Sequence, residues 1–266
     1  DCNRFMKFDK LLDFAFAHGL NYIVTGHYAR IERDENTGRY ILKKGVDEGK
    51  DQSYVLYNLT QHQLAHTIFP LGAYSKTQIR EMAEKQSFCN ARKHDSQDIC
   101  FVPDGDYVGF MEQYTGKRYP SGDFIDENGK KIGTHAGAVR YTIGQRRGLG
   151  LPMGDRVYVC AKDMEKNTVT VGPVESLFAT RVIVRDMNWI SVPGLTGEMR
   201  VKAKLRYRQK EQPAVASPLD GGRILLTFDE PQRGPAIGQA AVLYDGDTVV
   251  GGGTICGVPK DGEVCR

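Results

Sequence analysis

The sequence predicts an α/β region, then a small α+β central region, then a C-terminal antiparallel β-barrel, and three observations carry that reading. From residue 1 to 104, strand-like, turn-like and helix-like segments alternate, as they do in α/β domains. Between 105 and 180 a single helical stretch precedes a strong hairpin signal. Past residue 155 nearly every segment alternates apolar and polar residues with a period of two, broken by short Gly, Asn and Asp turns, which suits a small barrel. The domain boundaries that follow are 1–104, 105–180 and 181–266.

Each element has a local justification. Phe5, Phe8, Leu12, Ala15 and Phe16 recur near a helical period, with Asn3 as an N-cap and Gly19 as a stop, so residues 3 to 18 are expected to form an amphipathic helix. Tyr22-Ile23-Val24 is a short buried strand running into Thr25-Gly26-His27-Tyr28, and such strand ends are where ligands sit in doubly wound sheets. Tyr28 to Arg33 and Arg39 to Lys44 flank Asp34-Glu35-Asn36-Thr37-Gly38, a turn-forming run. Ser75 and Gln78 have capping-box spacing ahead of a helix over 76–86. A helix over Tyr107 to Tyr114 precedes Asn128-Gly129, which joins strands at Asp123-Phe124-Ile125 and Lys130-Lys131-Ile132. Further turns are expected at Glu165-Lys166-Asn167, Asp220-Gly221-Gly222 and Asp245-Gly246.

With 40% apolar residues over 266 positions the chain can give each region a core, and a 26% charged content argues against wholesale disorder. No apolar run is long enough to span a bilayer and no secretory signal is present, so a soluble protein is expected. The six cysteines are scattered and form no C-x-x-C pair, which fits a reducing cytoplasm. The net charge of +3 is unevenly spread: residues 181–210 hold Arg181, Arg185, Arg200, Lys202, Lys204, Arg206, Arg208 and Lys210 against Asp186 and Glu198. That asymmetry points to a polyanion.

The strongest physical signal is Arg200-Val201-Lys202-Ala203-Lys204-Leu205-Arg206-Tyr207-Arg208-Gln209-Lys210. As one strand it would carry six cations on one face, about 6.6 Å apart, with Val201, Ala203, Leu205 and Tyr207 facing inward. Six like charges in a row repel unless an anion crosses them; the plainer alternative is an edge strand guarded by lysines. Gly144-Gln145-Arg146-Arg147-Gly148-Leu149-Gly150 adds a basic, glycine-rich loop able to contact phosphate.

A lone cysteine is more often a small core hydrophobe than a nucleophile. Cys89, Cys160 and Cys256 read that way from their neighbours, and Cys265 reads as exposed. Cys2, at a helix start with Lys7 nearby, and Cys100, after a polar run containing His94 and Ser96, leave both readings open. His62 and His66 have zinc-protease spacing, but Gln63 replaces the needed glutamate and no third ligand is evident, so a surface or core pair is expected. Gly45 and Gly49-Lys50 match a Walker loop poorly, and Gly251-Gly252-Gly253 reads as a bulge or a close backbone contact in a barrel strand.

Taken together, Cys2-Asn3-Arg4-Phe5-Met6-Lys7-Phe8, Thr25-Gly26-His27-Tyr28, Lys50-Asp51-Gln52-Ser53-Tyr54, Asp95-Ser96-Gln97-Asp98-Ile99-Cys100-Phe101, Gly144-Gln145-Arg146-Arg147-Gly148-Leu149 and Arg206-Tyr207-Arg208 resemble, in order, the bacterial tRNA-specific 2-thiouridylases, the MnmA family. The resemblance implies an adenine-nucleotide-binding α/β domain of the PP-loop ATP pyrophosphatase type, a central domain, and a β-barrel that helps hold tRNA. It implies ATP, with Mg2+, as co-substrate, no structural metal, a persulfide sulfur donor protein as partner, and conversion of a wobble uridine to 2-thiouridine. Cys100 would be the persulfide carrier and Cys2 the thiol that assists sulfur release and can close a disulfide with it. Gly26 would approach the nucleotide, while His27, Lys50, Asp51, Gln52, Arg206, Tyr207 and Gln239 would contact tRNA. The Ser-Gly-Gly-x-Asp-Ser loop of that family is not among these residues, so the chain reads as the remainder of a longer protein. A reading of another class is a non-catalytic tRNA-binding fragment with bystander cysteines. A third, another PP-loop enzyme such as an amidotransferase-type synthetase, fits the basic strand less well.

Overall fold

The computed structural model describes residues 2–91, 102, 105–151 and 156–259. The helices are α1 (Leu11–Ala17), α2 (Ser53–Leu56), α3 (Gln61–Ala65), α4 (Lys76–Lys85) and α5 (Tyr107–Thr115). The strands are β1 (Ile23–Val24), β2 (Ala29–Arg33), β3 (Tyr40–Lys44), β4 (Thr67–Ile68), β5 (Gly122–Ile125), β6 (Lys131–His135), β7 (Tyr158–Asp163), β8 (Thr168–Gly172), β9 (Phe178–Trp189), β10 (Met199–Lys204), β11 (Gln212–Pro218), β12 (Ile224–Arg233), β13 (Ala240–Asp245) and β14 (Thr248–Gly257). Two compact units result: Asp1–Arg92 with Thr180–Glu230 and Ile237–Arg266, and Lys93–Ala179 with Pro231–Ala236.

In the first unit the expected N-terminal helix forms, but in two windings. Cys2–Lys10 is a π-helix that runs directly into α1, so Asn3 lies inside the helix rather than at its cap. Phe8 in the π-wound part and Leu12 and Ala15 in α1 are buried, while Phe5 is half exposed. Gly19 stops the helix as expected: at φ +71° it lets its own N–H reach Phe16 O at 3.0 Å and the Leu20 N–H reach Ala15 O at 2.9 Å, a Schellman closure. β1 then pairs in parallel with β4, Ile23 opposite Thr67. Capping boxes at Thr60/Gln63 and Ser75/Gln78 start α3 and α4.

The hairpin of β2 and β3 forms around the expected turn, where Asp34 accepts from Asn36 N–H and Thr37 Oγ1 and Gly38 adopts φ +68°. Its partner is the barrel. β13, β10, β11, β12, β9 and β14 close on themselves through the β13–β14 pairing, and β14 continues into β3 at Thr248↔Lys43. Side-chain brackets hold the junction: Arg39 donates to the carbonyls of Ile190 and Trp189, both at 2.9 Å, and Asn188 Nδ2 donates to those of Tyr57 and Leu59. One core therefore mixes Phe8, Leu12, Leu42, Tyr54, Leu56 and Phe69 with Ile190, Val242, Tyr244 and Val249. A second core fills the barrel with inward residues such as Val184, Val201, Ala203, Leu226, Phe228 and Ile255. Burying one such side chain contributes about 1.5–3 kcal/mol.

The three consecutive glycines of β14 meet both expectations for them. A Cβ on Gly251 would stand 2.5 Å from Asn188 O and one on Gly253 2.4 Å from Arg185 O, and the register against β9 shifts between Gly252 and Thr254. Cys89 corrects the sequence reading, since it is exposed rather than a core residue.

The second unit contains a four-stranded sheet in the order β6-β5-β8-β7, with β5 and β8 parallel. The expected hairpin joins β5 to β6, with Asp126 capping Asn128 N–H and Gly129 at φ +82°. Asp106 caps α5 through Gly109 N–H, and left-handed Gly116 ends it. Phe124, Ala138, Tyr141, Leu149, Val159, Val169 and Val171 form this unit's core.

Candidate nucleic-acid interface

The basic segment folds only partly as the sequence predicts. β10 stops at Lys204, and residues 205–211 turn back into β11, with Ala203 opposite Gln212. A charge pattern of period two runs unchanged through the bend, so periodicity could not mark the strand end. Val201, Ala203 and Leu205 are buried as expected, but Tyr207 is 42% exposed rather than inward. Arg200 forms a two-pronged pair with Asp229, which neutralises the first cation of the row. β10 is paired on both sides, by β11 and β13, so the edge-strand alternative is removed.

The turn does something the straight strand could not. It carries Tyr207 to the segment that holds Lys50, Asp51 and Gln52, where its hydroxyl donates to Asp51 O at 3.2 Å. Tyr54, four positions after Lys50, is the hub. Its ring centroid lies 6.0 Å from that of Tyr207, Lys204 Nζ sits 6.0 Å from the ring, and its hydroxyl donates to Ala240 O at 3.0 Å, next to exposed Gln239. Burial pushes the Tyr54 phenol up to about 12, offset in part by the nearby Arg206 charge. Tyr207 is raised by burial first and by Asp51 second. Both stay neutral donors near pH 7. Lys204, Tyr207 and Arg206 thus join cations to an aromatic face, the pairing that recognises stacked bases beside phosphates.

Two side chains of the 50–53 turn, Asp51 and Ser53, are committed inward. Asp51 accepts from Gly45 N–H at 3.0 Å, Ser53 N–H at 3.1 Å and Ser53 Oγ at 2.8 Å. Ser53 Oγ also lies 3.3 Å from Tyr244 Oη, and Lys44 spans Tyr244 and Glu211, its Nζ 4.7 Å from the ring and 2.5 Å from Glu211 Oε1. Gln52 brackets Tyr28: Gln52 Oε1 accepts from Tyr28 N–H at 3.0 Å and Gln52 N–H donates to Tyr28 O at 2.9 Å. This places the 50–52 turn beside the end of β1. Gly26 is exposed there, and a Cβ on it would meet only Leu71 Cδ1, at 3.5 Å. The backbone at Gly26 is thus openly approachable at the strand end. His27 is 6% exposed, between the rings of Phe8 and Phe69 at 5.6 Å each, with Nδ1 2.8 Å from Thr25 Oγ1. Burial first, and Lys7 second, lower it to about 4, so it is neutral near pH 7.

The structure therefore gathers Lys50, Asp51, Gln52, Arg206, Tyr207 and Gln239 around Tyr54 and links them through Gln52 to the Gly26–Tyr28 strand end. Cys2 is the first residue of the N-terminal helix, while Cys100, and with it the implied Cys2–Cys100 pairing, lies outside the described residues. The His62 and His66 rings lie 4.8 Å apart, tilted on one another, with Phe16 tilted against His62 and edge-on to His66, and among the described residues no group of three His, Cys, Asp or Glu side chains is placed to hold a metal. Sequence reasoning missed Tyr54, although an aromatic two positions after a tRNA-contact turn was a usable signal. It also missed Lys44, Glu211 and Tyr244, whose meeting depends on the barrel closing.

A strand end in a mixed α/β region joined to a closed six-stranded barrel that carries cations and aromatics defines an α/β protein with an attached β-barrel. Comparison agrees: the family described as tRNA methyl transferase HUP domain matches residues 1–104, the tRNA methyl transferase PRC-barrel domain 108–173, and the aminomethyltransferase β-barrel domain 179–255. The chain is 50% identical over 256 residues to the tRNA-specific 2-thiouridylase MnmA of Heliobacterium modesticaldum, covering 96% of this chain and 66% of that protein. It is 50% identical over 254 residues to MnmA 1 of Thermoanaerobacter sp. strain X514 and 46% identical over 254 residues to MnmA of Clostridioides difficile, in each case over 96% of this chain and 70% of the relative. The chain belongs to the MnmA family, and it spans about two thirds of the length of these relatives.

Proposed function

We propose that this chain serves tRNA 2-thiolation, as a sulfurtransferase acting on a wobble uridine. The observation that supports it best is the single surface around Tyr54, where residues from sequence positions 50–54, 204–207 and 239–240 meet and the Lys204 ammonium lies beside the paired rings of Tyr54 and Tyr207. Lys50, Arg206, Tyr207 and Gln239 contact the RNA, Gln52 offers amide N–H groups that donate to no other described residue, and Asp51 holds the turn in shape. His27, which the resemblance makes a tRNA contact, is neutral and buried, and in this reading it positions the strand end through Thr25. Gly26 admits the nucleotide, which when bound supplies activation of the uridine C2 oxygen. A uridine in a loop leaves its stack at low cost.

In this reading Cys100 carries a persulfide whose terminal sulfur bonds to C2 as the activated oxygen departs. Cys2 thiolate then attacks the Cys100 sulfur; the S–S bond to the base breaks, its electron pair stays on the sulfur now bound to C2, and a Cys2–Cys100 disulfide forms. The two thiols are oxidised and the transferred sulfur is reduced, so the thiols need reduction before the next turnover. The full-length protein, nucleotide loop included, supplied with ATP, a persulfide donor and tRNA should yield 2-thiouridine by nucleoside mass spectrometry, and Cys100→Ser should abolish it. Product surviving that change removes the carrier role. Tight, salt-sensitive tRNA binding with no product from the full-length protein under any supply of ATP and donor selects the non-catalytic alternative.

A further inference from the structure

The second unit carries a cationic feature that thiolation as described does not use. Residues 144–151, Gly-Gln-Arg-Arg-Gly-Leu-Gly-Leu, precede β7 in a loop whose shape is fixed from within. Gly144, Gly148 and Gly150 adopt φ of +86°, +74° and +65°, conformations that side chains disfavour. Gln145 braces the loop, its Oε1 accepting from Thr142 N–H and its Nε2 donating to Arg147 O, both at 3.0 Å. Gly144 N–H to Val159 O at 2.8 Å and Val159 N–H to Gln145 O at 2.9 Å tie it to β7. Leu149 is 7% exposed and anchors the loop in the core, and Leu151 packs beside it.

Against this rigid loop lies a cavity of about 270 Å³, lined by Arg146, Gly148, Gly150 and Arg156 among others. Among the described residues neither arginine has a carboxylate partner, and the N–H groups of Gly148 and Gly150 donate to no other described residue. Two guanidinium groups bordering one cavity repel each other unless an anion lies there. Arginines bordering a loop of fixed shape, beside unengaged glycine amides, match the tetrahedral oxygens of phosphate, which accept forked N–H pairs and backbone N–H groups together.

We propose that Arg146, Arg156 and the Gly148–Gly150 backbone form a phosphate-binding site in the second unit. The phosphate belongs either to an RNA backbone or to a free phosphate or nucleotide. Its RNA arm rests on the tRNA reading above; its free-phosphate arm does not.

The test uses the full chain and the double variant R146Q/R156Q, whose melting temperature should stay within about 2 °C because both side chains are surface groups. Inorganic phosphate titrated into 15N-glycine-labelled protein should shift the Gly148 and Gly150 amide signals saturably, and the variant should not respond. The variant should bind tRNA about 5–10-fold more weakly, with a log K against log salt slope shallower by about 1, as for one lost phosphate contact. Saturable phosphate shifts with unchanged tRNA binding assign the site to free phosphate; shifts with weakened tRNA binding assign it to RNA. No phosphate shift together with unchanged tRNA affinity overturns the proposal. Arg206→Gln in the first unit is the parallel control: it reports whether tRNA binding itself holds, whatever the second unit does.

Discussion

Gln52 is where positioning and recognition can be separated by one atom. Its Oε1 accepts the Tyr28 N–H at 3.0 Å, and Tyr28 is 6% exposed, so that N–H has no access to water if its acceptor is removed. Gln52→Ala strands the donor at a cost of about 1–3 kcal/mol, which for a chain of this size lowers the melting temperature by roughly 2–12 °C. Gln52→Glu keeps an oxygen acceptor for Tyr28 but replaces the free amide N–H groups with a carboxylate facing the proposed RNA. Loss of a hydrogen bond to a charged group is about 1.5–3 kcal/mol, so tRNA affinity should fall about 10- to 150-fold while the melting temperature stays near that of the parent. Differential scanning fluorimetry and filter binding on the same preparations read both quantities. If Gln52→Glu binds tRNA like the parent, Gln52 is a bracket and no contact; if it destabilises as much as Gln52→Ala, the Tyr28 hydrogen bond is not what the residue provides.

Other outcomes follow from the same coordinates. His27 is lowered to about 4 in the folded chain from an ordinary value near 6.5, so the unfolded chain binds the extra proton between those values; stability is full above pH 6.5 and falls as pH drops towards 4, by at most about 3 kcal/mol, and thermal melts of His27→Gln should lack that component. Lys204→Gln should make the salt dependence of tRNA binding shallower by roughly 0.7–0.9, whereas Arg200→Gln, already paired with Asp229, should leave the slope in filter-binding series unchanged. Gly72→Ala would set its Cβ 1.7 Å from Ala29 O, so it should cost more than about 3 kcal/mol in denaturant melts, while Gly194→Ala, with nothing within 4 Å, should be close to neutral.

Much of the local structure was legible. Gly19, Ser75 with Gln78, Asn128-Gly129 and the Asp34–Gly38 turn act through neighbours in sequence, where conformation and hydrogen bonding are decided within a few residues. The ordered motifs likewise pointed to the family. The basic segment was legible as to face but not as to length. Val201, Ala203 and Leu205 obey their alternation, yet the turn after Lys204 is dictated by where β11 must start in order to pair with β10, and no local pattern encodes that demand.

What the sequence determined by itself, then, is the set of elements, the uneven charge, and which residues could serve an RNA. Tertiary structure decided which of them meet. Closure of the barrel and the pairing of β3 with β14 bring the 50–54 turn against residues 204–207 and 239–240. It also buries His27 between two aromatic rings, and frees Tyr207 from the barrel interior to face Asp51. Periodicity reports only which side of an element is apolar; contacts between segments some 150 residues apart arise because strand pairing and core packing must be satisfied for the whole chain at once.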